Sequence, residues 1–118
     1  MSTPFDTIDA ANRHFEQLFN AGKIDELVEL YTPQGKLLPP DKNTYQGREE
    51  IKKFWQGARN AGVDNLHLTT GTVLEGGQDR LIETSSYKHS LDQGNYQVIW
   101  KRVTAGKNDW QLDIDIFN

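Results

Sequence analysis

The 118 residues include no cysteine, which excludes disulfides, thiolate nucleophiles and cysteine-ligated zinc or iron–sulfur sites. Basic charge is in deficit, 13 Lys and Arg against 17 Asp and Glu for a net charge of −4. Such a chain repels phosphates overall, so neither nucleic acid nor an anionic membrane is an expected partner. No stretch approaches the roughly 20 apolar residues of a membrane span. The opening "MSTPFD" carries neither basic charge nor an apolar run, so no signal peptide is expected and the cytoplasm is the expected compartment. A glycine-rich phosphate loop, a G-x-S-x-G elbow and an H-E-x-x-H helix are all missing, and "EGGQD" is short and acidic, a hairpin turn rather than a phosphate cradle. His14, His67 and His89 share no metal-ligand spacing. No metal and no cofactor is therefore expected.

What is present organises into one domain spanning 1–118, large enough to bury roughly two-thirds of its unfolded surface. Thr3 reads as the N-cap of a first helix, with Pro4 at its first position and Asp6 in the first turn, where the helix dipole favours negative charge. Ile8, Ala11, Phe15, Leu18 and Phe19 form its apolar stripe, and Asn20-Ala21-Gly22 supplies the stop. A short second helix carries Ile24, Leu27, Val28 and Tyr31 and ends at Thr32-Pro33-Gln34-Gly35. The stretch "GKLLPPDKNTYQG" then predicts a short edge strand and a hairpin, because paired prolines exclude a central strand. A third helix starts at Gly47-Arg48, turns Ile51, Phe54, Trp55 and Ala58 inward and ends before Gly62.

From Asn65 the apolar period changes from helical to two. Strands are predicted over 66–75, 80–89, 94–104 and 109–117, joined by short turns that make consecutive strands antiparallel neighbours. Helices gathered first and a meander gathered second give an α+β fold, with the helices covering one face of a curved sheet.

Three segments, "FEQLFNAGKIDELVELYTPQGKLLPP", "YQGREEIKKFW" and "GNYQVIWKRVTAGKNDWQLDIDIFN", resemble in order and spacing the SnoaL-like proteins of the nuclear transport factor 2-like superfamily, which has a cystatin-like fold. The resemblance covers nearly the whole chain. It implies a cone-shaped α+β barrel in which three helices close over a curved, mainly antiparallel sheet and leave a pocket. Dimers through the outer sheet face are common among such relatives. It also implies that Asp113, Asp115 and Phe117 look into the cone, while Trp110, Leu112, Ile114 and Ile116 look outward. With Ile99 and Val103, those outward residues make a face too apolar for water, so a homodimer is the expected assembly.

The expected ligand-binding residues are Phe15, Leu18, Tyr31, Leu38, Tyr45, Trp55, Glu83, Tyr87, Tyr96, Trp100 and Phe117, an aromatic wall with a few polar groups, as small-molecule pockets are usually built. Each of these side chains is equally at home as plain core. Asp113 and Asp115 are the candidate catalytic residues: carboxylates two apart on one strand face lie roughly 6–7 Å from each other, and their repulsion raises at least one pKa. The alternative is structural neutralisation by Arg13, Arg48, Arg59, Lys101, Arg102 or tyrosine hydroxyls, with Glu83 as a further acidic neighbour. His67, sharing a face with Thr69 and Gly71, is the histidine expected nearest the pocket.

Similarity to ketosteroid isomerase places Phe15, Pro39 and Val98 where that enzyme carries a tyrosine, an aspartate base and a protonated aspartic acid. None of the three can exchange a proton. Three functions fit the sequence: a dimeric pocket protein that binds an apolar or amphipathic small molecule without identified chemistry; a lyase, isomerase or hydrolase using Asp115 or Asp113 as general base; and a non-catalytic homo-oligomeric association module.

Overall fold

The computed structural model describes residues 3–118, and Met1 and Ser2, part of the opening read above for a signal peptide, lie outside the described residues. Helix α1 runs Pro4–Asn20 and α2 Ile24–Leu27, followed by a single 3-10 turn, Val28–Leu30. Strands β1 (Tyr31–Leu38) and β2 (Tyr45–Gln46) precede helix α3 (Arg48–Asn60). Four strands complete the chain: β3 (His67–Glu75), β4 (Arg80–Lys88), β5 (Gln93–Arg102) and β6 (Trp110–Phe117). All six strands share one sheet in the order β2-β1-β6-β5-β4-β3, antiparallel except where β1 meets β6. The helices pack on one face of this curved sheet, so the α+β class read from the sequence holds.

Local chemistry explains the helix ends. Thr3 and Asp6 form a reciprocal capping box at the start of α1, where each side chain satisfies the other residue's backbone N–H. Gly22 ends the helix with φ of 74°, a conformation that glycine alone adopts at no cost.

Tyr31 opens β1 rather than closing a helix, and β1 is an interior strand; its prolines are accommodated because Pro33 falls in the irregular stretch between Tyr31 and Lys36, while Pro39 and Pro40 follow the strand. The edge on that side is the two-residue β2.

The inner and outer faces of β6 differ from the expected ones. Ile99 pairs with Ile114 but Trp100 pairs with Leu112, which leaves Asp113 as an extra residue in a β-bulge. Asp115 and Phe117 stay on the face of Val98 and Tyr96, as expected, but the bulge brings Leu112 and Trp110 onto that same inner face, beside Trp100 and Arg102. Ile114 and Ile116 remain outward. The outer face is still apolar: Leu74, Ile82, Ile99 and Ile114 are successive cross-strand partners, a row of four aliphatic side chains across four strands.

The far edge of the sheet is covered where β3 begins. Arg13 and Asn20 of α1 donate to the carbonyls of Leu68 and Leu66, and Glu16 and Asn20 accept the N–H groups of the same two residues. The chain entering β3 thereby has its outer backbone groups paired with helix side chains in place of another strand. This phase turns Leu66 and Leu68 inward and leaves His67 and Thr69 exposed, so His67 does not border the interior. None of the helices among the described residues is long and apolar enough to cross a membrane.

Candidate functional site

Between the helices and the sheet lies a cavity of about 60 Å³, counted as room for the centres of water molecules, which suits a handful of waters or one compact ligand. Helix α1 contributes Asn12, Phe15 and Phe19, α3 contributes Trp55, and the sheet contributes Leu68, Tyr87, Tyr96, Val98, Leu112, Asp115 and Phe117; Val63, Leu66 and His89 stand on the connecting segments. Aromatic edges and faces fix its walls. Trp55 stacks on Phe117 with centroids 5.9 Å apart, and Phe15 meets Trp55 edge-on at 5.8 Å.

Asp115 is the carboxyl on this apolar surface. Its Oδ2 accepts the Tyr31 hydroxyl at 2.7 Å, and the Tyr31 oxygen in turn accepts the Trp55 indole N–H at 3.1 Å. No lysine or arginine among the described residues pairs with it. Burial pushes its pKa up to about 7; the Tyr31 hydrogen bond opposes that rise and the charge of Glu83 adds to it. Near neutral pH the group can therefore give or take a proton. Because Tyr31 occupies Oδ2, the proton that Asp115 takes up belongs on Oδ1. Tyr31, fully buried against this carboxyl, has its own pKa raised well above the ordinary value, by burial first and by Asp115 second.

Glu83 lies deeper, with no exposed surface. Oε2 accepts Asn12 Nδ2 at 2.7 Å, Ser85 Oγ at 2.6 Å and the Tyr96 hydroxyl at 2.9 Å, while Oε1 accepts Trp100 Nε1 at 3.0 Å. Every partner donates, which matches an acceptor-only carboxylate. The Asn12 amide also donates to Thr70 Oγ1 at 2.9 Å, and Thr70 donates to Asp9 at 2.7 Å, so a chain of hydrogen bonds reaches from the interior to the surface.

Of the residues expected at the site, Phe15, Trp55, Tyr87, Tyr96, Phe117 and Asp115 line the cavity. Leu18, Tyr31, Leu38, Tyr45, Glu83, Trp100 and Asp113 do not. Tyr31 sits behind Asp115 as its donor, and Glu83 and Trp100 form the hydrogen-bonded layer beneath. Leu18 is buried among other core side chains. Leu38 pairs with outward Ile116, and it is Leu37, opposite Asp115, that is fully buried. Tyr45 packs on Phe54 and donates to Asp41 at the surface. The bulge sets Asp113 against Thr32, whose hydroxyl donates to it at 2.8 Å, so the acidic neighbour of Asp115 is Glu83 rather than Asp113.

Asn12, Phe19, Val63, Leu66, Leu68, His89, Val98 and Leu112 line the cavity without having been expected to bind there. Asn12 carried a signal: it lies on the same helical stripe as Ile8, Phe15 and Phe19, a polar residue where the pattern demands an apolar one. Of the three positions aligned with ketosteroid isomerase, Phe15 and Val98 line the cavity and Pro39 does not.

A curved sheet with three helices on one face is the fold shared with solved proteins described as NTF-2 like or as having a cystatin-like fold. The chain belongs to the SnoaL-like domain family, whose model matches residues 11–111. Among solved structures, a ketosteroid isomerase-like protein from Erwinia carotovora atroseptica superposes with a TM-score of 0.77 at 17% identity, covering 99% of this chain and 96% of that one. A domain of unknown function with a cystatin-like fold from Nostoc punctiforme gives 0.80 at 15% identity, covering 100% and 78%. An NTF-2 like protein of unknown function from Shewanella oneidensis gives 0.77 at 16%, covering 98% of each chain. At these identities the likeness establishes the fold. No curated protein matches the chain by sequence.

Proposed function

We propose that the protein binds a small, largely apolar molecule in this cavity and holds one polar group of it against Asp115. The observation that carries the reading is a single carboxyl, with its pKa pushed up to about 7 by burial, set in a wall made mostly of aromatic and aliphatic side chains. Thermal unfolding against neutral one-ring and two-ring compounds tests it. A ligand at 100 times its Kd adds about 2.7 kcal/mol of stability, and Leu112→Trp, which drives an indole into the cavity, is expected to remove that gain. A library in which nothing stabilises the wild type counts against the reading.

The same carboxyl favours a second reading, acid–base catalysis of the lyase, isomerase or hydrolase type, with Asp115 as the proton-transferring group and Tyr31 and Trp55 holding its orientation. Any turnover found for a bound compound would then fall about 10²–10⁴-fold in Asp115→Asn. Steroid isomerisation gains no support, since Phe15, Pro39 and Val98 carry no proton to exchange at the positions where it would be needed.

A homodimer through the outer sheet face belongs to this proposal. Leu74, Ile82 and Ile116 are exposed on that face, with Ile99 and Ile114 partly covered between them, and an unbroken aliphatic row is self-complementary to a second copy of itself. Sedimentation should give twice the mass of the chain for the wild type and the single mass for Ile82→Glu, which sets a charge in the middle of the row. A wild type that sediments as a monomer removes the dimer.

A further inference from the structure

His89 follows the end of β4 at the rim of the cavity, half-buried, with its ring stacked on Tyr87 at 5.7 Å between centroids and 18° between planes. Its Nδ1 accepts two backbone N–H groups, Leu91 at 3.1 Å and Asp92 at 3.2 Å. A ring nitrogen that receives donors carries no proton of its own. The imidazole is therefore neutral, with its hydrogen on Nε2. The surrounding turn is tied down as well: His89 N–H donates to the Asp92 carbonyl, Ser90 N–H to the Asp64 carbonyl and Ser90 Oγ to the Gly62 carbonyl. The ring is thus fixed on one side by a stack and on another by a turn, and its Nε2–H has no protein acceptor among the described residues. Burial also holds the imidazole pKa below its ordinary value against the opposing charge of Asp92.

Asn12 is the converse case. Both of its amide hydrogens are spent, on Thr70 and Glu83, so what this buried side chain has left for the cavity is an acceptor oxygen. Asp115 changes sense as it gains or loses its proton. One permanent donor remains among these polar groups.

We propose that His89 Nε2–H is the donor with which the cavity orients its ligand, and that the ligand class is a compact ring compound bearing a carbonyl oxygen. A carbonyl accepts and does not donate, so it satisfies His89 in a way that neither a hydrocarbon nor an ammonium group does. The assignment rests on the reading of the cavity as a ligand site.

The test pairs 1-indanone with indane, which share a ring system and differ by one carbonyl, and adds ¹⁵N NMR of the histidine rings. Wild-type protein should show the Nε2–H tautomer for His89 at neutral pH and bind 1-indanone about tenfold more tightly than indane, the worth of one hydrogen bond. His89→Phe keeps the stack and loses the donor; His89→Asp keeps an acceptor for the Leu91 and Asp92 amides and, ionised, has no donor. Both variants should bind the two compounds alike, and if His89→Phe fails to fold, His89→Asp carries the comparison. An Nδ1–H tautomer or an imidazolium, an absent preference in the wild type, or a preference that survives in His89→Asp overturns the assignment while leaving the cavity as a binding site. Failure of both compounds to bind overturns it together with the reading beneath it.

Discussion

Urea unfolding of a Glu83→Leu variant is expected to show a loss of at least about 4 kcal/mol, a large share of the roughly 5–15 kcal/mol that stabilises a domain. The side chain is fully buried and accepts from Asn12, Ser85, Tyr96 and Trp100. Leucine fills much of the volume but leaves four donors facing hydrocarbon, each worth about 1–3 kcal/mol when left unpaired. Glu83→Gln should fall between the two, because its amide oxygen can serve one side of the cluster while its NH₂ confronts a donor on the other. It should also lower the pKa of Asp115, since the charge of Glu83 is among the causes that raise it. An NMR titration of the Asp115 carboxyl reads that second effect apart from stability. A loss below about 1 kcal/mol for Glu83→Leu would mean that the four donors find other partners.

Asp115→Asn should act in the opposite direction, and only at one end of the pH scale. The carboxyl titrates at about 7 in the folded protein against 3.8 unfolded. Between those values the folded state holds a proton that the unfolded state has released, so stability is full below about pH 4, falls as pH rises through the window and stays reduced above pH 7. At 1.36 kcal/mol per unit the penalty at alkaline pH reaches about 4 kcal/mol. Asparagine keeps an acceptor for the Tyr31 hydroxyl and never ionises. The variant should therefore unfold about 15 °C above the wild type at pH 8, while the two nearly coincide at pH 4. Thermal melts at both pH values decide it, and a difference independent of pH would show that burial does not set the pKa of this group.

Much of this architecture could be read residue by residue. Capping chemistry at Thr3 and Asp6, the glycine stops and the change of period after Asn65 are local signals, and local signals placed the first and third helices and the four-strand meander to within a residue or two. What escaped was set by partners distant in sequence. Alternation runs unbroken from Trp110 to Ile116, so nothing within β6 announces that Asp113 is the extra residue; the bulge exists only in the register with β5. That one residue decides whether Leu112 faces solvent or cavity. Tyr31 fits the apolar spacing of a short helix as well as the start of a strand, and pairing with β6 decided between them. The inward side of β1 likewise went to Leu37 rather than Leu38. His89 looked like an isolated histidine at a strand end because its two backbone donors depend on how the following turn closes.

The helix side chains that pair with Leu66 and Leu68 also limit how copies of this protein can meet. A sheet grows sideways only where consecutive backbone groups stand open to a new strand. At one margin α1 occupies part of that row, and at the other the two-residue β2 offers too short a template. Lateral stacking of strands from neighbouring molecules, the first step toward fibrous aggregates, is thereby hindered while α1 stays docked. The broad face of the sheet opposite the helices is not blocked in this way. A lesion that loosens α1, such as loss of the Glu16 or Asn20 side chain, should therefore register first as loss of solubility on warming.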